Sequence, residues 1–229
     1  MEKTAFYCIN YKDDFRKGKM ETRFRNLGLH LHFVAPVEKN DPRLEVQNVP
    51  DDKRTCAIML QHLDSIRHFM ENTDLPYCIV CEDDILLTKH FRENLQEAVV
   101  SFEELDLDVL LLGYLAPFKI ESWNSWFPLK TESVHFRYMG YPNDLWGAQM
   151  YLLSRKHAQE LLEKYTVEWA IQNVDKPYNP DWTITKDGNR AIMYPMLAVE
   201  DGKGDYDHWG QGEYHRNSHK ANYIEGEFF

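Results

Sequence analysis

The first half of the chain alternates short apolar segments with amphipathic helical patterns. This alternation predicts an α/β domain with a mostly parallel central sheet flanked by helices, because parallel strands need crossover connections and bury both faces. The β-prone segments are residues 6–10, 30–34, 77–81 and 108–113. Helical faces lie at residues 17–27, 51–70 and 91–102, and the second of these helices is expected to begin near Asp51 or Asp52.

The second half of the chain is less regular. Residues 114–144 contain Pro, Trp and Gly without periodicity, so we expect long loops there. A strand pattern returns at residues 146–153, Ser154 can cap the helix that follows, and residues 190–195 form the last predicted strand. Beyond Val199 the chain is polar. With 229 residues the whole chain, 1–229, fits a single domain.

Composition excludes several classes of protein. The 37 acidic and 26 basic residues give a net charge of −11, which argues against nucleic acid as a partner. No apolar run approaches the ~18–20 residues of a transmembrane helix, and the N-terminus has no signal-peptide core. We therefore expect a cytoplasmic protein that is not secreted and has no transmembrane segment. The four cysteines are too few for a disulfide scaffold and are predicted to be buried thiols.

Three consecutive acids end the apolar strand at residues 77–81. Ligands bind at the carboxyl ends of strands in open α/β sheets, where this pattern places Glu82, Asp83 and Asp84. Glu82 and Asp84 share a face and could converge on Mg²⁺ or Mn²⁺, which could bridge nucleotide phosphates. Acids also cluster at strand ends as solvated turns or helix caps, so this pattern alone leaves the alternatives open.

Short motifs follow one another along most of the chain in a fixed order. They are Cys8-Ile-Asn-Tyr11, Arg16, Arg23, Leu27-Gly28, Gln61-His62, Cys81-Glu-Asp-Asp-Ile85, residues 107–113, residues 145–155 with Ala158, Leu161 and Leu162, Pro180-Asp181, and Pro195-Met196-Leu197. Together they resemble glycosyltransferase family 25, the lipopolysaccharide and collagen galactosyltransferase group. Gln61 stands where the family has Ser, Trp146 where it has Tyr, and residues 199–201 where it has a Gln segment.

The resemblance implies a GT-A nucleotide-sugar-binding fold and a donor that is usually a UDP-sugar. A hexose, galactose or glucose, would pass with inversion to a hydroxyl of a glycan, lipopolysaccharide or glycoprotein acceptor. Residues 1–113 would then bind the donor, and residues 114–229 would form the acceptor side. The compact length is typical of bacterial or viral members of this group, so the expected location is bacterial or infected-host cytosol.

The resemblance also assigns roles to residues. The nucleotide-sugar would contact Asn10, Arg16, Glu82, Asp83 and Gly113. Mn²⁺ or Mg²⁺ would bind Asp84, Glu82 and His208, with His215 and His219 as alternatives for the histidine. Asp181 is the expected base that deprotonates the acceptor, and Asp144 is the second candidate. Trp123, Trp126 and Tyr141 would stack on sugar faces at the acceptor side.

Two rival classes remain open. A metal-dependent phosphohydrolase could use the same acids, although such enzymes commonly carry several acid and histidine clusters. A catalytically silent sugar-binding or nucleotide-binding relative would keep the cleft without turnover.

Overall fold

The structure is a computed structural model and describes residues 3–45, 52–120, 125–203 and 209–229. Its strands are β1 (Thr4–Ile9), β2 (His32–Phe33), β3 (Tyr77–Glu82), β4 (Ile85–Leu87), β5 (Val109–Leu115), β6 (Leu129–Glu132), β7 (Arg137–Met139), β8 (Trp146–Ser154), β9 (Arg190–Tyr194) and β10 (Ala198–Glu200). Its helices are α1 (Asp14–Asn26), α2 (Lys53–Asn72), α3 (Phe91–Glu104), α4 (Arg155–Lys164), α5 (Val167–Gln172) and α6 (Trp209–Asn222). Short 3-10 turns lie at Pro42–Leu44 and Ile184–Lys186.

The central sheet has the strand order β2-β1-β3-β8-β5-β9-β7-β6 in the described part of the chain. β1 pairs in parallel with β2 and β3, and β5 pairs in parallel with β9. β8 lies antiparallel between β3 and β5, so both halves of the chain share one sheet. Six of these eight strands run in one direction, with β7 and β8 opposed. The predicted α/β class with a mostly parallel sheet is confirmed.

Helices cover both faces of the sheet. Alternate residues of β1 point to opposite faces: Tyr7 packs in the layer of α2 and α4, and Phe6 packs in the layer of α1 and α3. The central strands are therefore apolar throughout, as expected for strands buried on both faces. All four cysteines are free and buried, as predicted.

Predicted helix boundaries match the observed caps. The side chain of Asp52 accepts hydrogen bonds from the backbone N–H groups of Arg54 and Thr55 at the start of α2. Ser154 accepts from the N–H of His157 at the start of α4. Gly28 follows α1 with φ of 66°, a left-handed conformation that glycine adopts without strain.

One sequence expectation was wrong, and two elements near the carboxyl terminus were not predicted. Residues 114–144 contain β6 and β7, and β7 extends the sheet by pairing with β9. These strands are only 4 and 3 residues long, too short for a periodic pattern. The polar tail forms β10 and α6. α6 contains Gly210 and Gly212, so local propensity disfavours a helix, but Tyr214, Ser218 and Asn222 hold it through hydrogen bonds to the backbone at the end of β5.

A buried polar pair connects α2 to the sheet. His62 Nδ1 lies 2.7 Å from the hydroxyl of Tyr151 on β8, and both residues are fully buried. Burial lowers the pKa of His62 to about 3 because the charged ring would lose its hydration. His62 therefore stays neutral in the folded protein over the physiological range.

This pair predicts a pH-dependent contribution to stability. The unfolded chain protonates His62 near pH 6.5 and the folded chain does so only near pH 3, so stability is lost as pH falls below 6.5. Between pH 7.5 and 5.5 the wild type should lose about 1.4 kcal/mol more than the double variant His62→Leu/Tyr151→Phe, which removes both partners. Urea unfolding at the two pH values measures the difference, with Tyr151→Phe alone as control. Equal losses in wild type and double variant would contradict this assignment.

Candidate active site

The three acids lie at the carboxyl end of β3, as predicted. Glu82 is the last residue of β3 and stands beside Ile9 of β1, so Asn10 emerges from the sheet next to the acids. Asp83 and Asp84 form the turn that leads into β4. The parallel pairing of β1 and β3 therefore brings two predicted donor-binding segments to one edge of the sheet.

Arg16 and Asn10 bind the turn acids directly. Arg16 Nη1 lies 3.1 Å from Asp83 Oδ1 and 3.3 Å from Asp84 Oδ2. Asn10 Nδ2 donates to Asp83 Oδ2 at 2.6 Å. Asp13 caps α1 by accepting from the N–H of Arg16, which fixes Arg16 in the first turn facing the acids.

A second pair of acids approaches from β10. β10 pairs with β4, and the N–H of Asp201 donates to the carbonyl oxygen of Asp84 at 2.8 Å. Burial, followed by the negative charge of Glu200, raises the pKa of Asp84 to about 7, although Arg16 opposes the shift. Burial and the charges of Asp84 and Asp181 raise the pKa of Glu82 well above its usual range. The site concentrates negative charge that its basic residues do not fully offset.

Asp84 has the chemistry of a cation ligand. Its Oδ1 is buried and has no hydrogen-bond partner among the described residues. A buried carboxylate oxygen without a donor is costly, and a cation would satisfy it. Glu82 and Asp84 therefore fit the predicted metal, but the described ranges contain no complete group of three His, Cys, Asp or Glu ligands.

The three candidate histidines differ in where the structure places them. His208 lies outside the described residues. On α6, His215 Nδ1 lies 2.5 Å from Glu200 Oε2, and His219 Nδ1 lies 2.8 Å from the carbonyl oxygen of Glu200. The Nδ1 atom of each ring therefore contacts an oxygen of Glu200. Because Glu200 acts on Asp84, Glu200 and His215 belong to the site. Sequence analysis missed Glu200, whose only signal was the departure from the family's Gln segment.

A cleft of about 620 Å³ opens beside the acids. Glu82, Asp83, Asp84 and Arg16 line one part of it. Side chains that were not assigned a role line the rest, namely Tyr11, Asp13, Lys39, Arg54 and Gln61, with Ile9, Val37, Ala57 and Ile58. The cleft therefore has acids on one side and basic, aromatic and apolar groups around them.

Two of these unassigned residues explain how the cleft is built. Tyr11 is 54 % exposed, and its hydroxyl donates to Glu38, which holds the ring at the cleft. Gln61 on α2 donates through Nε2 to the carbonyl oxygen of Asn10 at 2.9 Å. The position of Tyr11 directly after a strand-ending Asn was the available sequence signal for its role.

Asp181 is held by the backbone at the start of β8. Its Oδ1 accepts hydrogen bonds from the N–H groups of Gly147 at 2.7 Å and Ala148 at 2.9 Å, at the start of β8. Burial raises the pKa of Asp181, and the two N–H donors oppose the shift. The charge of Asp181 acts on both Glu82 and Tyr214.

Asp144 and Trp126 lie together in a second pocket. This pocket has a volume of about 370 Å³ and is also lined by Phe118, Phe127 and Tyr214. Asp144 is exposed, and Trp126 is 64 % exposed. We call this second pocket the aromatic pocket. The charge of Asp181 contributes to the raised pKa of Tyr214, which lines this pocket.

Two of the remaining predicted residues are buried where an exposed, ligand-binding position was expected. A third lies outside the described residues. Tyr141 is buried and donates its hydroxyl to the carbonyl oxygen of Thr185, so its ring has no open face for a sugar. Gly113 is also buried; a Cβ there would lie 2.9 Å from the carbonyl oxygen of Ala198, so the glycine allows β10 to approach. Trp123 lies outside the described residues.

The sequence matches the model of glycosyltransferase family 25 (LPS biosynthesis protein) over residues 59–177, slightly more than half of the chain. The chain belongs to glycosyltransferase family 25. It is therefore a glycosyltransferase, and its mostly parallel α/β sheet is consistent with a GT-A-type fold. The family match includes residues 82–84 and Asp144, whereas Arg16, Asp181 and Glu200 lie outside it. No curated protein matches the sequence.

Several solved structures are similar to this family 25 member at low identity. A197 from STIV is 14 % identical with a TM-score of 0.46, over 90 % of this chain and 95 % of that one. A glycosyltransferase involved in the glycosylation of the major capsid of PBCV-1 is 8 % identical with a TM-score of 0.44, over 95 % and 98 %. A mannose-1-phosphate geranyltransferase from Thermus thermophilus is 11 % identical with a TM-score of 0.36, over 75 % and 55 %. We draw no functional conclusion from likenesses this distant.

No helix in the described ranges is long and apolar enough to cross a membrane.

The acid cluster is expected to lower the free energy of unfolding, because its carboxylates repel one another. Asp84→Asn removes a buried charge beside Glu82 and Glu200, so this variant without added metal should be more stable than the wild type by about 1–3 kcal/mol. Asp83→Asn is the matched control, because Asp83 already has Asn10 and Arg16 as partners, and it should gain less. Thermal unfolding at pH 7.5 measures both. A lower melting temperature for Asp84→Asn than for the wild type would show that Asp84 is not electrostatically crowded.

Proposed function

We propose that this glycosyltransferase moves a hexose, galactose or glucose, from a UDP-sugar to a hydroxyl of a glycan, lipopolysaccharide or glycoprotein acceptor, with inversion and with Mn²⁺ or Mg²⁺. The observation that carries the proposal is the unpartnered Oδ1 of Asp84 in an acid cluster at the wall of the 620 Å³ cleft. A divalent cation would offset that charge, and a nucleotide diphosphate bound to the cation would fill that space.

The cleft offers a contact for each part of the donor. The exposed ring of Tyr11 supplies a flat surface for a base, and Lys39 and Arg54 supply cations nearby. Arg16 suits the diphosphate because its planar guanidinium binds phosphate oxygens in pairs. Asp83, held by Asn10, faces the cleft as a hydrogen-bond acceptor for the ribose.

Asp84 and Glu82 would hold the cation, with a histidine of the segment before or within α6. When bound, the cation stabilises the negative charge on the nucleotide diphosphate as it leaves. Arg16 contacts Asp84 and can donate to the same phosphate charge.

Asp181 is the better candidate for the base. Both of its hydrogen bonds from described N–H groups go to Oδ1, which leaves Oδ2 for the hydroxyl of the acceptor. A raised pKa improves a carboxylate as a proton acceptor. The charge of Asp181 also acts on Glu82, which lines the cleft, and on Tyr214, which lines the aromatic pocket, and this supports a role close to both. Asp144 is exposed and is better suited to bind the acceptor.

The aromatic pocket would bind the acceptor sugar and exclude water. Trp126, Phe118 and Tyr214 offer rings to its apolar faces, and Asp144 offers a hydrogen-bond acceptor. Displacing water protects the donor from hydrolysis.

Nucleotide binding is the first test of this function. UDP and GDP would be titrated calorimetrically into wild type, Asp84→Ala and the exposed control Asp175→Ala, with and without Mn²⁺. We expect UDP to bind more tightly than GDP, with Mn²⁺ strengthening UDP binding in the wild type and control but not in Asp84→Ala. Failure of both nucleotides to bind under all conditions would overturn the proposal. Mn²⁺-independent UDP binding that Asp84→Ala leaves unchanged would overturn its metal part.

Product analysis with UDP-galactose and UDP-glucose separates the rival functions. Transfer of the sugar to an acceptor supports the proposal. Release of UMP and sugar 1-phosphate, or of inorganic phosphate from these products, would indicate a phosphohydrolase. UDP binding without turnover of any donor would indicate a silent relative.

The two candidate bases predict different kinetic defects. Asp181→Asn keeps an oxygen for the Gly147 and Ala148 N–H groups but loses the proton acceptor, so kcat should fall by about 10²–10⁴ with UDP affinity unchanged. Asp144→Asn should mainly raise KM for the acceptor. Steady-state kinetics with varied acceptor measures both. A large kcat loss in Asp144→Asn together with near-normal kcat in Asp181→Asn would reverse the assignment.

A further inference from the structure

A third pocket lies near the carboxyl terminus, away from the acid cluster. It has a volume of about 300 Å³, and Phe136, Tyr194, Met196 and Phe228 contribute its apolar wall. Backbone hydrogen bonds hold the chain on both sides of Phe228: the N–H of Phe229 donates to the carbonyl oxygen of Leu87 at 3.0 Å, and the N–H of Lys89 donates to that of Glu227 at 2.8 Å. We call it the C-terminal pocket. It is a formed cavity and not a gap between loose segments.

Basic side chains surround the pocket in a chain that is otherwise acidic. Lys89 and Lys119 are exposed at its rim, and neither forms an ion pair with a described residue. His90 and His135 also line it, the latter paired with Glu97, and Glu227 contributes one carboxylate. Two unpaired lysines against one acid favour an anionic ligand.

The start of α3 adds the polar side chains of His90 and Asn94 to the same pocket. Because both residues line it, the first turn of α3 faces the pocket. His90 occupies the capping position but makes no side-chain hydrogen bond to the helix. The first N–H groups of a helix have no partner within the helix, and its dipole favours negative charge there.

One buried polar atom points to a ligand independently of the helix end. Thr88 lines the pocket, and its Oγ1 is buried without a hydrogen-bond partner in the described part of the chain. An unpaired buried hydroxyl is costly, and a ligand hydroxyl or anionic oxygen would satisfy it.

The C-terminal pocket is connected to the aromatic pocket by shared elements. Phe118 lines the aromatic pocket and the next residue, Lys119, lines the C-terminal pocket. On α6, Tyr214 faces the first and Asn222 the second, and eight helical residues span about 12 Å. An extended ligand could occupy both pockets.

We propose that the C-terminal pocket is a second saccharide subsite that binds a negatively charged sugar residue of the acceptor. The apolar face of the sugar ring packs on Phe136 and Phe228, and its carboxylate or phosphate lies between Lys89 and Lys119 at the start of α3. Thr88 and Asn94 bind the ring hydroxyls. The role in transfer rests on the proposed function, whereas binding of the charged sugar does not.

The test measures binding without donor or turnover. D-glucuronate, D-glucose 6-phosphate, D-glucose and inorganic phosphate are titrated at constant ionic strength, and amide chemical shifts are followed by NMR. We expect the two charged sugars, or one of them, to bind about tenfold more tightly than glucose. The shifted amides should lie around Thr88, Asn94 and Lys119. Binding by only one charged sugar identifies the anion as a carboxylate or a phosphate.

Matched variants distinguish a subsite from a structural feature. Lys89→Ala/Lys119→Ala should weaken the charged sugars about tenfold, while Lys156→Ala, an exposed lysine on α4, should leave them unchanged. Thr88→Val keeps the shape and removes the unpaired hydroxyl, so it should weaken sugar binding without lowering the melting temperature. UDP affinity should be normal in all of these variants.

Three outcomes would overturn the inference. Glucose could bind as tightly as the charged sugars, the double lysine variant could bind them normally, or inorganic phosphate could bind as tightly as glucose 6-phosphate. The last would reduce the pocket to a simple anion site. If UDP fails to bind the wild type while the charged sugars bind as expected, the donor assignment fails and the saccharide pocket stands.

Discussion

Mutual repulsion of carboxylates at the end of β3 is the constraint on which the site depends. Glu82, Asp83 and Asp84 are joined there by Glu200 and Asp201 from β10, and burial raises the pKa of Asp84 and of Glu82. Such a cluster persists in a folded chain only where surrounding elements over-determine it. The pairing of β1 with β3, the cap of α1 and the pairing of β4 with β10 each hold one part of it.

The β10 strand shows how a residue can matter without touching the ligand. Gly113 lies where a side chain would collide with Ala198, and the N–H of Leu197 bonds to the carbonyl oxygen of Leu112 at 2.8 Å. The absence of a Cβ at Gly113 therefore lets β10 cross close to β5. That approach brings Glu200 to the acids at the end of β3, so Gly113 influences the charge of the acid cluster through the position of β10.

Some site residues can be predicted from the sequence because their position depends on neighbouring residues. Others cannot, because their position depends on contacts with residues distant in the sequence. Local patterns were enough to place Glu82, Asp83 and Asp84, because an apolar strand followed by acids has one plausible location in an α/β sheet. The same holds for the caps at Asp52 and Ser154. Glu200 could not be found this way, and His215 was named only as an alternative ligand without its partner Glu200. A 3-residue strand and a glycine-containing helix have weak local signals and depend on contacts made far along the chain. The prediction for Tyr141 was wrong for a different reason. The segment around it is rich in aromatic residues, as in many binding loops, but the side chain of Tyr141 is buried in the fold.

The position of Arg16 shows why a protein cation alone does not complete the site. Its guanidinium reaches Oδ1 of Asp83 and Oδ2 of Asp84, yet Asp84 Oδ1 is left without a donor among the described residues, and burial together with Glu200 still raises the pKa of Asp84 to about 7. Arg16 contributes a single positive charge, and it lines the cleft from which the diphosphate would also approach. An arginine that must bind phosphate cannot keep both of its carboxylate contacts unchanged. A divalent cation between Glu82 and Asp84 would relieve that conflict by offsetting the acids, which frees the guanidinium for the donor.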